Sequence, residues 1–387
     1  MAKRVLLGMS GGVDSSVSAV LLLEQGYEVI GGFMKNWSEE IFADSLNQAS
    51  ASERLTALTD TVTECTWRTE RRDAMRVAAQ LDIPFHTFDF ESEYRAKVYE
   101  YMIEEYRLGR TPNPDVLCNK YMKFDLFLRE AEKLGCEAIA TGHYARRIDD
   151  EQGVAHLLAG IDANKDQSYF LCQLTQEQLQ RSLFPIGHLQ KSAVRQIARQ
   201  HHLAVAEKKD SQGICFVGQV DMQQFLEARI PSHEGNIVTT NGKVLGHHRG
   251  FEFYTIGQRG GLGIGGGTPL YVVDRRPETN EVVVAMGADD PALFRSDLVA
   301  SGLVETVPGA IDSRLNTPIT ARIRYRQPLA RCVISKIPLL TKEGLGEVSD
   351  PNHIRVHFDT PQRAIAPGQF VAFYDGEEMI GSAVIQN

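Results

Sequence analysis

Three groups of residues in this chain combine side chains and spacing suited to chemistry. The first is Ser10-Gly11-Gly12-Val13-Asp14-Ser15-Ser16, set between a short apolar run and a helical one. Paired glycines let a backbone turn sharply and bring its N–H groups against an anion. A helix that follows adds unpaired N–H groups and a partial positive charge. The serines add hydroxyl donors, and Asp14 offers a carboxylate for a magnesium ion or for a helix cap. The lysine of the G-x-x-x-x-G-K-[ST] phosphate loop is missing, so this is a different motif.

The second group is Cys118 with Asp115. Pro112 and Pro114 exclude helix, so the spacing predicts Asp115 as N-cap and Cys118 as the third helical residue. A thiol there meets unpaired N–H groups and the positive end of the helix, which favours thiolate. The third is Cys215, near Gly213 and downstream of Lys208-Lys209. By spacing alone, a buried cysteine between Ile214 and Phe216 is an equally good reading.

The six cysteines are scattered, with a closest spacing of 18 residues from Cys118 to Cys136. That excludes paired C-x-x-C ligands and, with them, a zinc or iron–sulfur centre; no metal site is expected. Gly261–Gly266 matches G-x-G-x-x-G, but Pro269 and a strand follow instead of a helix, so a dinucleotide site is not expected there.

The elements that position these groups alternate. Strands are predicted at Arg4–Met9, Glu28–Met34, Phe85–Asp89 and Ala138–Thr141. Helices are predicted at Val17–Gln25, Arg71–Leu81, Glu91–Arg107 and Lys120–Leu134. This order implies an α/β domain with a parallel sheet covered on both faces, with ligands beyond the carboxyl ends of its strands. Helical periodicity continues through Gln176–Leu183 and Ser192–His201, and 36–66 reads as a long insertion. After Cys215 short alternating runs dominate, among them Leu270–Val273, Glu281–Ala285, Ala321–Tyr325, Ile354–Phe358, Phe370–Tyr374 and Ile380–Ile385. They predict two small β-rich domains, the last a β-barrel. The domains are placed at 1–217, 218–292 and 293–387.

A chain of 387 residues fits two to three domains. Its net charge of −9 argues against a general nucleic-acid coat. Residues 293–387 are balanced, however, and Arg314 to Lys336 holds six basic residues and no acidic one. Such a strip suits one specific polyanion. No apolar run approaches the ~18 residues of a membrane span, and no targeting segment is visible. The expectation is a cytoplasmic protein with no membrane partner.

Ser10–Ser16 resembles the loop of N-type ATP pyrophosphatases, SGGxDS, enzymes of the adenine-nucleotide alpha hydrolase-like fold that cleave ATP to AMP and pyrophosphate. Along nearly its whole length the chain is similar to tRNA-specific 2-thiouridylases. The matching segments are Gly8–Ser15 (GMSGGVDS), Gly109–Lys120 (GRTPNPDVLCNK) and Ala140–Arg146 (ATGHYAR). They continue with Asn164–Phe170 (NKDQSYF), Lys208–Phe216 (KKDSQGICF) and Tyr254–Arg259 (YTIGQR). The region 36–66, which includes Cys65, is poorly matched.

The resemblance implies ATP-dependent 2-thiolation of the wobble uridine of tRNA anticodons. Cys118 would be the nucleophile, Cys215 the carrier of a persulfide loaded by a sulfur-donor protein, and Asp115 the general acid/base. ATP, with Mg2+, would be held by Gly8, Met9, Ser10, Gly11, Gly12, Val13, Asp14 and Ser15, with Met34 and Gly142 near the adenosine. Target uridine and tRNA contacts would fall at Asn113, Pro114, Asp115, His143, Lys165, Asp166, Gln167, Arg324, Tyr325 and Gln369. The alternatives are another amidation or ligase enzyme with the same loop, and a non-catalytic tRNA-binding protein that keeps it as a relic. The first would need a glutaminase nucleophile in a second catalytic domain, and neither is apparent.

Overall fold

The computed structural model describes residues 3–38, 67–209, 222–265, 267–341 and 344–387. Cys65 and Cys215 fall outside them. The chain opens with strand Arg4–Gly8 (β1), helix Val13–Glu24 (α1) and strand Glu28–Lys35 (β2). Helix Trp67–Gln80 (α2), strand Phe85–Asp89 (β3) and the helical stretch 91–107 (α3) come next. Then follow the helical stretch 114–133 (α4) and strand Ala138–Ala140 (β4). Strands Ala145–Asp149 (β5) and Ala155–Ala159 (β6) form an antiparallel hairpin. Helix Gln176–Gln180 (α5), strand Ser182–Leu183 (β7), helix Lys191–Gln200 (α6) and helix Met222–Glu227 (α7) complete this part.

The first sheet has the order β3-β2-β1-β4-β7, with every pairing parallel. Its central strand carries Val5, Leu6 and Leu7, at most 1% exposed. A parallel sheet flanked by helices buries both faces, so a continuous apolar run is what β1 needs. Helices cover the two faces in separate cores, one holding Val5, Leu7 and α1, the other Leu6, α3 and α4.

Two local expectations change. The helix expected over Gln176–Leu183 stops at Gln180, and Ser182–Leu183 joins the sheet beside β4. Residues this near a sheet edge gain more from ladder hydrogen bonds than from another helical turn. The first helix begins at Val13, not Val17, so half of the Ser10–Ser16 motif is itself helical.

Strands Gly235–Thr239 (β8), Val244–His248 (β9), Leu270–Arg276 (β10) and Glu281–Met286 (β11) make a second sheet, ordered β10-β11-β8-β9. The third is built from Phe294–Glu305 (β12), Pro318–Arg322 (β13), Ala330–Thr341 (β14), Gly344–Arg363 (β15), Phe370–Asp375 (β16) and Glu378–Ile385 (β17). It runs β12-β15-β14-β13-β16-β17, and β17 pairs back onto β12, so the expected barrel closes with six strands. Leu298 and Ala300, Ile319 and Ala321, Cys332 and Ile334, Val356 and Phe358, and Val371 and Phe373 all fill its interior. Each pair is two residues apart, the period that sends alternate strand side chains to one face.

The β5–β6 hairpin was not foreseen. By sequence it belongs with the parallel sheet, yet Leu157 and Leu158 pair with Met379 and Glu378 of β17. His156 strengthens this seam: its Nδ1 lies 2.7 Å from Glu378 Oε1 and its Nε2 3.4 Å from Asp150 Oδ2. The Glu378 hydrogen bond holds the imidazole above its ordinary range against a smaller opposing effect of burial, with Asp150 adding to the rise.

Candidate active site

Beyond the carboxyl end of β1 the chain turns through Ser10, Gly11 and Gly12 into α1. Gly11 has φ +70°, a left-handed conformation, and a Cβ there would lie 2.2 Å from the Glu70 carbonyl oxygen of α2. Only glycine fits. Gly12 is the N-cap of α1 and supplies no side-chain cap. The Ser10 N–H donates to Ser15 Oγ at 3.2 Å, and the two hydroxyls lie 3.2 Å apart. Ser16 Oγ–H donates back to the Gly12 carbonyl at 2.8 Å. Ser10 is exposed while Ser15 and Ser16 are buried, so the loop is fixed from within and open outward.

A lysine reaches the loop from elsewhere in the fold. Lys191 Nζ, at the start of α6, contacts both Asp14 carboxylate oxygens at 2.7 and 2.8 Å. Tyr144 Oη–H donates to the same carboxylate at 2.8 Å. Asp14 therefore does not cap α1 in this structure; it is the hub of a cation and a phenol at the mouth of the loop. Lys208 Nζ donates to the Gly11 carbonyl at 2.9 Å and pairs with Asp73 of α2 at 2.7 Å. Sequence reasoning missed Lys191 entirely, since nothing local distinguishes a lysine 177 residues from its partner.

Gly142 follows β4, whose end lies next to that of β1. A Cβ on it would lie 2.8 Å from the Ser15 N and 2.9 Å from the Asp14 carbonyl carbon. The loop after β4 and the first turn of α1 thus meet backbone to backbone. Met34, the last residue but one of β2, lies against Gly8, where a Cβ would be 3.3 Å from Met34 Cε. His143, next to Gly142, is buried, with Nδ1 2.8 Å from Thr141 Oγ1. Burial, aided by the Lys123 charge, lowers its pKa well below the ordinary imidazole range, so the ring is neutral.

The helix bearing Cys118 starts earlier than its sequence suggested. Asn113, not Asp115, is the N-cap, and its side chain accepts from the Val116 N–H at 3.2 Å. Pro114 takes the first helical position, where its missing N–H costs nothing. Cys118 is therefore the fifth helical residue, past the turn where the dipole acts most strongly, and it is fully buried. Its sulfur instead meets a side-chain donor: Asn36 Nδ2, just beyond β2, lies 3.9 Å from Cys118 Sγ. Asp115 is half-buried in the first turn.

The barrel reaches into this segment. Gln369 Nε2 donates to the carbonyls of Thr111 and Pro112 at 2.9 and 3.0 Å, and Asn113 Nδ2 lies 3.3 Å from Gln369 Oε1. The Thr111 N–H donates to the Pro367 carbonyl at 2.8 Å. Gly368, at φ +90°, packs where a Cβ would lie 2.9 Å from the Thr111 carbonyl oxygen. On the helix's other side, Asn119 Nδ2 donates to the Phe170 carbonyl at 2.9 Å. Asn113 and Gln369, both expected near the target base, are thus in contact.

The other expected tRNA residues divide. Tyr325 is half-exposed, packs 4.5 Å from the Phe170 ring, and lies under the Arg326 guanidinium. Lys165 is half-exposed. Asp166 is buried: its carboxylate accepts the Gly160 and Ser168 N–H groups and pairs with Arg322 of β13 at 3.1 Å. It is an internal tie between hairpin and barrel, not a surface contact. Gln167 exchanges hydrogen bonds with the Tyr144 backbone. Arg324 Nη2 donates to the Ile256 and Ala364 carbonyls at 3.2 and 2.5 Å, joining the second sheet's segment to the barrel. One nitrogen of its guanidinium is committed to that junction. Cys172 and Cys332 are core residues, whose thiols burial pushes up to about 12.

The domain organisation matches known families in three consecutive pieces. Residues 3–219 match the tRNA methyl transferase HUP domain, 223–286 the tRNA methyl transferase PRC-barrel domain, and 309–385 the aminomethyltransferase beta-barrel domain. Over the full length, the chain is 47% identical to the tRNA-specific 2-thiouridylase MnmA of Streptococcus uberis, covering 99% of this chain and 95% of that one. The protein of the same name from Pseudomonas syringae pv. syringae is 47% identical over 99% and 94%. That from Lacticaseibacillus paracasei is 45% identical over 99% and 94%. The chain belongs to the tRNA-specific 2-thiouridylase family. Among solved structures, a 4-thiouridine synthetase–RNA complex with bound ATP aligns with a TM-score of 0.31 at 15% identity, over 59% of this chain and 50% of that one. The NMN synthetase of Francisella tularensis aligns with a TM-score of 0.32 at 14% identity, over 58% and 72%. Those likenesses are too partial to bear on function. For this family member, the loop after β1, the glycine after β4 and the Asn36–Cys118 contact after β2 all lie along one edge of one sheet.

Proposed function

We propose that this chain is a cytoplasmic tRNA-uridine 2-sulfurtransferase: it adenylates the C2 oxygen of the wobble uridine with ATP and replaces that oxygen by sulfur. The observation that carries the reading is the shared edge. Strands β2, β1 and β4 are neighbours, and their carboxyl ends lead respectively to Asn36 on the Cys118 sulfur, to the phosphate loop, and to Gly142 against Ser15. ATP and the thiol are therefore served by adjacent strands. A protein carrying the loop only as a relic has no need of that placement. The methyltransferase names of the domain models call for neither a phosphate loop nor a buried thiol beside it.

The chemistry follows from the parts. A uridine C2 carbonyl is a poor electrophile, and its oxygen a poor leaving group. Attack of that oxygen on the α-phosphorus of ATP expels pyrophosphate and converts it into a leaving AMP. The α1 N-terminus and Lys191 bind the departing phosphates, for which Gly11 and Gly12 leave the backbone bare. Asp14 is the carboxylate suited to a magnesium ion carried with the nucleotide. Such an ion would neutralise charge on the phosphates and be held by the Asp14 carboxylate together with the nucleotide it accompanies.

Cys215, loaded as a persulfide by a sulfur-donor protein, bonds its outer sulfur to C2 as AMP leaves. The Cys118 thiolate then attacks the inner sulfur. The persulfide S–S bond breaks, sulfur stays on C2, and a Cys118–Cys215 disulfide forms, which an external dithiol reduces. Asp115, half-buried one turn before Cys118, is suited to proton transfer. Among the described residues no helix is long and apolar enough to cross a membrane, in keeping with a cytoplasmic enzyme.

The decisive measurement is tRNA-stimulated pyrophosphate release together with nucleoside mass spectrometry of the product. Wild type is expected to release pyrophosphate and form 2-thiouridine given a persulfide donor. Cys118→Ser is expected to bind tRNA with nearly unchanged affinity and form no 2-thiouridine. Full thiolation by Cys118→Ser overturns the two-cysteine mechanism.

A further inference from the structure

Asn36 is 1% exposed, and its amide is only half used. Nδ2 faces Cys118 Sγ at 3.9 Å, whereas Oδ1 is buried without a hydrogen-bond partner. Asn119, the residue after the thiol, repeats the pattern: it is 2% exposed, its Nδ2 donates to the Phe170 carbonyl, and its Oδ1 has no partner. A buried acceptor left unmade costs about 1–3 kcal/mol, so such atoms mark strain or a ligand. One of them belongs to the amide that faces the Cys118 sulfur, the other to the residue that follows it.

Asn36 is also placed for a ligand. It directly follows β2, at the sheet edge where ligands of parallel sheets bind. It is two residues from Met34, which packs on Gly8 ahead of the phosphate loop. The next residue, Trp37, is buried and fixed by the Tyr94, Tyr99 and Phe225 rings, which hold the backbone at Asn36 in register.

We propose that the Asn36 amide does two things at once: its N–H group holds and activates the Cys118 sulfur, and its oxygen accepts the N3–H of the target uracil. This rests on the uridine thiolation reading above. A hydrogen bond to sulfur favours the thiolate over the thiol. Uracil presents N3–H beside C2, whereas cytosine has a bare acceptor nitrogen at that position. A site built around an unpaired buried acceptor therefore takes the first base and leaves two acceptors opposed with the second. Because N3 is bonded to C2, one amide gripping both N3–H and the Cys118 sulfur holds that thiol beside the disulfide linkage on C2 that it must attack. Asn36 is thus a positioning residue toward Cys118 and a specificity residue toward the base.

The test has two arms on the full-length protein. In the first, without RNA, iodoacetamide labelling of the Cys118 peptide is followed by mass spectrometry from pH 5 to 10. Asn36→Ala is expected to raise the labelling midpoint by about one unit, close to tenfold less labelling at pH 7. Asn36→Asp, of the same shape but negatively charged, is expected to raise it further. An unchanged midpoint in both variants overturns the sulfur contact. In the second, anticodon stem-loops with uridine or cytidine at the target position are compared for binding. Asn36→Ala is expected to lose about tenfold of the preference for uridine, while Asn36→Asp, which keeps an acceptor, retains most of it. A preference unchanged in Asn36→Ala overturns the base contact. If Asn36→Ala does not fold, as judged by thermal melting, Asn36→Asp decides the first arm. Asn36→Leu, which has neither donor nor acceptor, then takes its place in the second. Wild type that shows no uridine-dependent pyrophosphate release overturns the thiolation reading itself, whereas the first arm needs no RNA.

Discussion

The phosphate loop and the Cys118 segment are both short, glycine- or proline-marked stretches that end in a helix, but they are held in opposite ways. Within the loop, Ser10, Gly12, Ser15 and Ser16 bond to one another, and the hydrogen bonds span at most five residues. The Cys118 segment is held by residues from far along the chain: Asn36 on the sulfur, Phe170 on Asn119, and Gln369 across Thr111 to Asn113. The loop makes its own turn, and Lys191, Lys208 and Gly142 then close on it from later in the chain. A helix start held at Asn113 by a barrel residue 256 positions away is placed only once that barrel has docked. The turn of the loop is thus local in this protein, whereas the cations and the glycine that flank it, and the placing of the thiol, are tertiary.

The largest effect that sharpens the contrast is expected at Gly142. Its added methyl group in Gly142→Ala meets the α1 backbone at 2.8 Å, which cannot rotate aside. The first turn of α1 must shift, and displacements approaching 1 Å at a reacting group cost about 10²-fold. Pyrophosphate release is expected to fall by about that factor while tRNA binding is unchanged. A variant with wild-type release would mean that the loop tolerates displacement.

Next in size is Gln369→Ala. It removes two donated hydrogen bonds to backbone carbonyls, each worth about 1 kcal/mol. The expected outcome is a thiolation rate about tenfold lower with ATP affinity intact, since the loop does not depend on the barrel. Equal loss of ATP affinity, measured by calorimetry, would break the comparison.

The smallest effect lies at the hairpin–barrel seam. His156 has its pKa raised by Glu378 and Asp150, so its contribution to stability is fully present below the unfolded value of about 6.5. It is lost as pH rises through the folded-state pKa. Because the site is partly exposed, the effect is small. His156→Gln is expected to remove about 1 °C of the difference in melting temperature between pH 6 and pH 8. A difference identical to wild type would show that the seam is held by backbone pairing alone.

The parallel sheet, both β-rich regions and the barrel were legible in the sequence because buried strands need apolar runs or strict alternation, and these survive in the residue order. The hairpin over 145–159 was not, because its strands are short and its partner, β17, lies more than 200 residues on. The N-cap was misplaced by two residues because Asn113 and Asp115 are both good caps. Pro114 fits the first helical position as well as it fits a turn. Asp166 and Arg324, assigned to tRNA by the resemblance, also make contacts with groups from another sheet, which a motif match does not carry.

By itself the sequence determined the phosphate loop, since glycine conformations and a helix start are local properties. It also marked Cys118 as a thiol at a capped helix. Only the tertiary structure decided what surrounds that thiol, and which lysine reaches the loop. Asn36, Gln369 and Lys191 reach the site through sheet order and barrel docking, and side-chain contacts made across such distances leave no period or spacing in the chain.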